Sequence, residues 1–175
     1  WGLADVEDTQ YAIGHLASLG KIDSERCIIR GGSAGGYTVL SALTFTDTFK
    51  AGASLYGIGN LETLATDTHK FESRYLDSLI GPYPERKDIY IERSPINHIE
   101  GLNCPVIFLQ GLQDKVVPPN QAEMMVALLQ SKGIKVAYVT FGDEGHGFRK
   151  ANNIIRAMES ELTFYQEVFN LVETI

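Results

Sequence analysis

Cysteine is scarce in this chain, with only Cys27 and Cys104 among 175 residues, so no disulfide framework organises it. If the two sit on strands separated by a third, their backbones stand about 9 to 10 Å apart, beyond disulfide reach. Unpaired thiols point to a reducing compartment, the cytoplasm, where both act as small buried hydrophobes. The four histidines and two cysteines show no close metal-ligand spacing, so neither a metal nor another cofactor is expected. Basic clusters are also missing. With 15 Lys and Arg against 22 Asp and Glu the net charge is −7, which argues against nucleic acid and anionic membrane surfaces as partners. No apolar run approaches the length of a membrane span, and the start has neither a basic n-region nor a signal-like apolar segment. There is no initiator Met; the abrupt opening Trp1-Gly2 suggests part of a longer polypeptide.

What remains is a composition of 44% hydrophobic and 21% charged residues, that of one soluble domain with one sizeable core. Asp5 is placed to cap a helix over residues 6–19, with Val6, Ile13, Leu16 and Ala17 or Leu19 as its apolar face and Gly20 as its stop. Strands are predicted over residues 26–30, 49–56, 105–111 and 135–141. Helices are predicted from about 37 to 45, from 120 to 132 after Pro119, and from 153 to 170 with Ile154, Met158, Leu162, Tyr165 and Phe169 on one face. Residues 57–98 show scattered aromatics, breakers at Gly81-Pro82 and Pro84, and one short helix over 70–78; Phe71, Tyr75 and Leu79 are expected to pack on the domain. Alternating strands and helices predict an α/β fold, a mostly parallel sheet with helices on both faces, and ligands beyond the carboxyl ends of its strands.

The first strand runs into Gly31-Gly32-Ser33-Ala34-Gly35, which satisfies the G-x-S-x-G pattern of a nucleophile elbow. A Cβ beside the serine would collide with a neighbouring strand or helix, and the helix that follows points free N–H groups and its positive end at whatever the serine attacks. No Lys-Ser/Thr pair for a P-loop and no G-x-G-x-x-G spacing accompanies it. Because such a short pattern also arises by chance, its partners have to decide. Asp114 follows the third strand and His146, between Gly145 and Gly147, the fourth; parallel strands bring these ends to one sheet edge. The order Ser, Asp, His is that of an α/β-hydrolase triad. Serine needs a base to take its proton, an imidazole can take and return it, and a carboxylate on the other ring nitrogen fixes the tautomer. His15 reads as a surface or packing residue, His69 and His98 fall in the irregular segment, and Asp143 and Glu144 read as surface acids too close to His146 in sequence.

The chain resembles the catalytic domain of the prolyl oligopeptidase family of serine peptidases, especially its dipeptidyl-peptidase and acylaminoacyl-peptidase branches. The resemblance rests on Trp1-Gly2 with Asp5 and Asp8, residues 31–36, Phe71-Glu72-Ser73-Arg74-Tyr75, Ser94-Pro95-Ile96-Asn97, residues 104–118, and Glu144-Gly145-His146-Gly147-Phe148, in the family's order. It implies a partial α/β-hydrolase fold, here the carboxyl-terminal portion of the peptidase domain, with Ser33 as nucleophile, Asp114 as acid and His146 as base. It further implies an oxyanion donor in the Ala34 N–H, a pocket wall at Val116 and Val117, and weaker pocket positions at Tyr56 and Ile58. Glu72 would hold a free peptide N-terminus or pair with Arg74. A peptide is then the expected substrate and an exopeptidase the expected class; the same triad also serves a carboxylesterase, and a non-catalytic interaction module is the third reading.

Two departures stand out. Gln110-Gly111 replaces the His-Gly of many relatives, and the earlier strands and β-propeller of the family are not in this sequence. A second oxyanion donor comes from an earlier strand's loop in this fold, and losing one donor costs about 10² to 10³ in turnover, so the isolated chain is expected to be inactive. An unpaired edge on the nucleophile strand would invite copies to associate.

Overall fold

The computed structural model describes residues 1–67 and 74–171. Its sheet has four parallel strands, β1 (Ile28–Gly32), β2 (Ala51–Leu55), β3 (Val106–Gly111) and β4 (Val136–Phe141), in the order β1-β2-β3-β4. Every residue of β2 and β3 is buried, as expected for strands covered on both faces. Alternation divides β3 between two cores. Val106 and Phe108 pack with α2 (Ala34–Phe45) and α6 (Asn120–Ser131) through Val39, Leu40, Leu43, Met125 and Leu129. Ile107 and Leu109 pack with Ala157 and Phe164 of α7 (Ala151–Val168) on the opposite face. Small residues in β2 let α2 approach: a Cβ on Gly52 would lie 2.6 Å from Leu43 Cδ1.

The first helix, α1 (Ala4–Ser18), starts earlier than the sequence predicts, and Asp5 lies in its first turn rather than before it. Its carboxylate accepts the Leu3 N–H at 3.1 Å and the Thr38 hydroxyl of α2 at 2.8 Å, so a tertiary partner takes up what was read as a cap. Of the expected apolar face, Val6 is buried and Ile13 packs on the core, whereas Leu16 and Leu19 are exposed. The last helix departs from its pattern more strongly. It turns Ala157, Glu161 and Phe164 to the sheet, with Tyr165 of the expected face packed on the same core, and leaves Ile154, Met158 and Leu162 exposed, because its apolar arc is broader than the strip the sheet covers.

The segment between β2 and β3 carries α3 (Leu61–Asp67), α4 (Tyr75–Leu79) and α5 (Lys87–Glu92), then a 3₁₀ stretch, Pro95–Gly101. Only α4 overlaps the helix expected over 70–78, ending one residue later; residues 70–73 of that expectation, Phe71 among them, lie outside the described residues. Helices of five to seven residues are too short to display a period and are not stable alone. They hold together by sharing a core of Ile58, Leu61, Leu64, Leu76, Tyr90 and Val117, against which Leu79 packs, while Tyr75 stays half exposed. Two buried polar side chains fasten this cap. Gln121 of α6 accepts the N–H groups of Gly59 and Asn60 and donates to the Asn60 carbonyl. Ser94 accepts the Leu61 N–H and donates to the Tyr90 carbonyl. Each such bond is worth about 1 kcal/mol net, but leaving its buried partner unmet costs more. The cap therefore sits firmly over the carboxyl ends of the strands.

Candidate active site

Ser33 joins β1 to α2 with no intervening residue, and its backbone is held at φ 58°, ψ −120°. Such angles cost a non-glycine residue about 1 to 3 kcal/mol, so surrounding contacts must impose them. Here the Ser33 N–H donates to Leu55 O at 3.0 Å, and Ser33 O accepts from Tyr37 N at 3.0 Å. Strand, turn and helix are pressed together. A Cβ on Gly31 would lie 2.4 Å from Gly35 O, and one on Gly36 would lie 2.6 Å from the Cα of Gly57. Ala34 opens α2, so its N–H belongs to the first turn, where helices lack internal acceptors.

His146 reaches this turn from the loop between β4 and α7. Its Nε2 is 2.8 Å from Ser33 Oγ and its Nδ1 is 2.8 Å from Asp114 Oδ2. The Asp114 side chain is fully shielded from solvent, and its other oxygen accepts the N–H groups of Val116 and Val117, each at 2.9 Å. Gln110, on the strand below, donates to Val117 O at 3.2 Å and so braces the same loop. The Tyr56 ring packs edge-on to the imidazole at 5.0 Å between centroids and also meets Phe148 at 5.4 Å. Tyr56 has a positive φ of 39°, and its ring fills the space above Gly32.

The other histidines and acids lie elsewhere. His15 is exposed on α1, His98 packs near Phe45, and His69 lies outside the described residues. Asp143 engages Lys150 and Asn153, and the Lys150 ammonium, followed by the Asn153 amide, holds its carboxyl below the ordinary range. Glu144 is no surface acid: it is 3% exposed and turned toward the start of α7. The Asn153 side chain and then the Lys150 N–H hold its carboxyl below the ordinary 4.5. Both cysteines are unpaired, and burial pushes the Cys104 thiol up to about 11. Among the described residues no group of three or more His, Cys, Asp or Glu side chains is placed to hold a metal ion. None of the described helices is long and apolar enough to cross a membrane.

Beside Ser33 lies a cavity of about 280 Å³, lined by Trp1, Ile58, Leu64, Tyr75, Leu76, Val116 and Val117, with Ser33, Ala34 and His146 at one side. Val116, Val117 and Ile58 line this cavity, whereas Tyr56 lies against His146 and is not among its lining residues. Glu72 falls outside the described residues. Arg74, its alternative partner, comes within 3.8 Å of Asp77 at the surface. Trp1, Leu64, Tyr75 and Leu76 were not read from sequence as wall residues; the scattered aromatics and leucines of the irregular segment were the one available signal.

The profile of the prolyl oligopeptidase family matches residues 1–172. Dipeptidyl aminopeptidase BIII of Pseudoxanthomonas mexicana is 33% identical over 153 residues, 84% of this chain and 22% of that protein. Among solved structures, a puromycin-hydrolyzing peptidase of Mycobacterium tuberculosis superposes with a TM-score of 0.94 at 50% identity, over 96% of this chain and 26% of its own. The acylaminoacyl peptidase of Pyrococcus horikoshii gives 0.87 at 28% identity, over 94% and 28%. The chain spans about a quarter of the length of these relatives.

Proposed function

This chain belongs to the prolyl oligopeptidase family of serine peptidases, and on that premise we propose that Ser33, His146 and Asp114 form its catalytic triad and cleave short peptides from one end. The observation that carries the reading is the continuous pair of 2.8 Å contacts from Ser33 Oγ through the imidazole to a buried carboxylate, at the mouth of an apolar cavity. Ser33 Oγ attacks the scissile carbonyl as His146 Nε2 takes its proton. The Ala34 N–H stabilises the oxyanion. Collapse breaks the C–N bond, and His146 returns the proton to the leaving amine, giving an acyl-enzyme. Water then attacks the ester, passing a proton through His146 back to Ser33 and freeing the acid. Asp114 accepts the Nδ1–H throughout, holding the tautomer that leaves Nε2 free as base.

The cavity accepts the side chain on the acyl side of the cleaved bond. Among the described residues that line it there is no acid, Lys or Arg, which favours an apolar or aromatic side chain; burying an unpaired charge against them costs several kcal/mol. The resemblance to a puromycin-hydrolyzing peptidase supports an aminoacyl amide as substrate. With the whole native polypeptide that carries this chain, free-amino phenylalanyl or leucyl amides and puromycin are expected to be cleaved at least about a hundredfold better in kcat/KM than aspartyl or lysyl amides. Dipeptidyl and acyl-blocked amides in the same panel assign the exopeptidase type. Equal turnover of the charged amides overturns the pocket assignment, and cleavage of short acyl esters without any amide marks a carboxylesterase.

Two further readings belong here. Among the described residues β1 pairs on one side only, and exposed Met158 and Leu162 share a groove with Arg30 along that edge. Copies of the isolated chain associate through this edge; a single monomeric species of that chain in sedimentation velocity at micromolar concentration sinks the idea. The unpaired thiols support a cytoplasmic location, a reading that recovery of the protein outside that compartment on fractionation of the native cells overturns.

A further inference from the structure

The loop that carries His146 has glycine on both sides of the imidazole, and Gly147 sits at φ 85°, so these neighbours do little to fix the ring. Glu144 stands at the base of this loop. Its Oε2 accepts the Arg149 N–H at 3.1 Å, and its Oε1 accepts the Lys150 N–H and the Asn153 amide, both at 2.9 Å. The carboxylate thereby closes a ring of backbone from 144 to 150, with His146 at its far side. It also supplies what α7 lacks. Lys150 stands at the N-cap position and makes no side-chain cap bond, and the first turn holds no acid, so a carboxylate from upstream takes the Lys150 N–H and stands near the positive end of the helix.

The main chain of the same residue faces the other way. Glu144 O accepts the Gln113 N–H at 2.9 Å, one residue before Asp114. The end of β3 presses on this junction: a Cβ on Gly111 would lie 2.6 Å from Glu144 O and 2.4 Å from Gly145 O. One buried residue therefore ties the loop of the acid, the loop of the base and the start of α7 to one another.

We propose that Glu144 is a positioning residue, whose carboxylate sets the place of the His146 imidazole between Ser33 and Asp114. The inference rests on the triad reading above. A misplacement of about 1 Å at a reacting group costs about a hundredfold in rate, which sets the scale. In the whole native polypeptide, with Ser33 sites counted by end-point labelling with a fluorophosphonate, Glu144→Gln should lower kcat per labelled site about tenfold and Glu144→Ala about a hundredfold. KM should stay within about twofold, because no substrate contact is removed. Glu144→Asp, which keeps the charge on a shorter arm, should recover part of the loss. The proposal is overturned if kcat per labelled site in Glu144→Ala stays within about twofold of the parent, the loss being only of sites or of thermal stability. Should Glu144→Ala not fold, the isosteric Gln decides alone by the same ratio. Absence of labelling at Ser33 in the parent protein would instead refute the peptidase reading itself.

Discussion

In the whole native polypeptide, Ser33→Ala is expected to lower kcat at least about 10⁴-fold and to abolish fluorophosphonate labelling at this position, with the fold retained. On the proposed triad the loss is steep because His146 and Asp114 then serve one atom. Without Oγ, the imidazole at 2.8 Å has no nucleophile to activate, and what remains is binding and the oxyanion donor acting on adventitious water. The fold should persist since the turn is held by main-chain bonds, Ser33 N to Leu55 O and Tyr37 N to Ser33 O, and by the close approach of Gly31 to Gly35. None of these involves the hydroxyl. Thermal unfolding within a few degrees of the parent, together with an inactive and unlabelled protein, is the expected pair of results. Full activity in the Ala variant would place the nucleophile elsewhere.

Asp114→Asn carries the second-largest expected effect, a fall in kcat of about 10⁴ with little change in KM. The substitution is nearly isosteric, and the amide oxygen can still accept the N–H groups of Val116 and Val117. Its NH₂ then faces His146 Nδ1, which must become an acceptor, so the ring proton moves to Nε2. An imidazole protonated there donates to Ser33 and cannot take its proton. Chemistry fails while the cavity, whose wall includes Val116 and Val117, keeps its shape. Steady-state kinetics near neutral pH check this. Turnover within tenfold of the parent would require another acid, and the sequence offers Asp143 and Glu144 nearby. Both have other work in the structure: Asp143 is tied to Lys150 at the surface, and Glu144 to the start of α7.

These two effects concern residues that spacing and chain order alone single out. The elbow is a local pattern: glycines around a serine, between an apolar run and a helix-compatible stretch, encode close packing in a few adjacent residues. Asp114 and His146 are far away in sequence, yet parallel pairing puts the ends of β1, β3 and β4 on one edge, so their place after successive strands brings them into consideration. Composition excluded a disulfide framework and pointed away from nucleic acid for equally direct reasons, since cysteines and charges can be counted.

Where the sequence misled, the deciding contacts join distant segments. The face α7 buries is chosen by the sheet beneath it, which selects Ala157 and Phe164 over the more conspicuous stripe of Ile154, Met158 and Leu162. Asp5 looked like a cap until Thr38 of another helix supplied its partner. Three short helices over the active edge have too few residues to show a period, and they exist because they share one core. Glu144 read as a surface acid because nothing in a linear sequence says that its carboxylate turns back on the next helix while its carbonyl meets the loop of Asp114. The sequence by itself determined which side chains are chemically suited to act and on which strand ends they lie, because spacing and local sterics are properties of neighbours along the chain. Tertiary structure alone decided the wall of the cavity, the buried face of α7 and the clasp on the His146 loop, because each is made by atoms that meet only when remote segments pack.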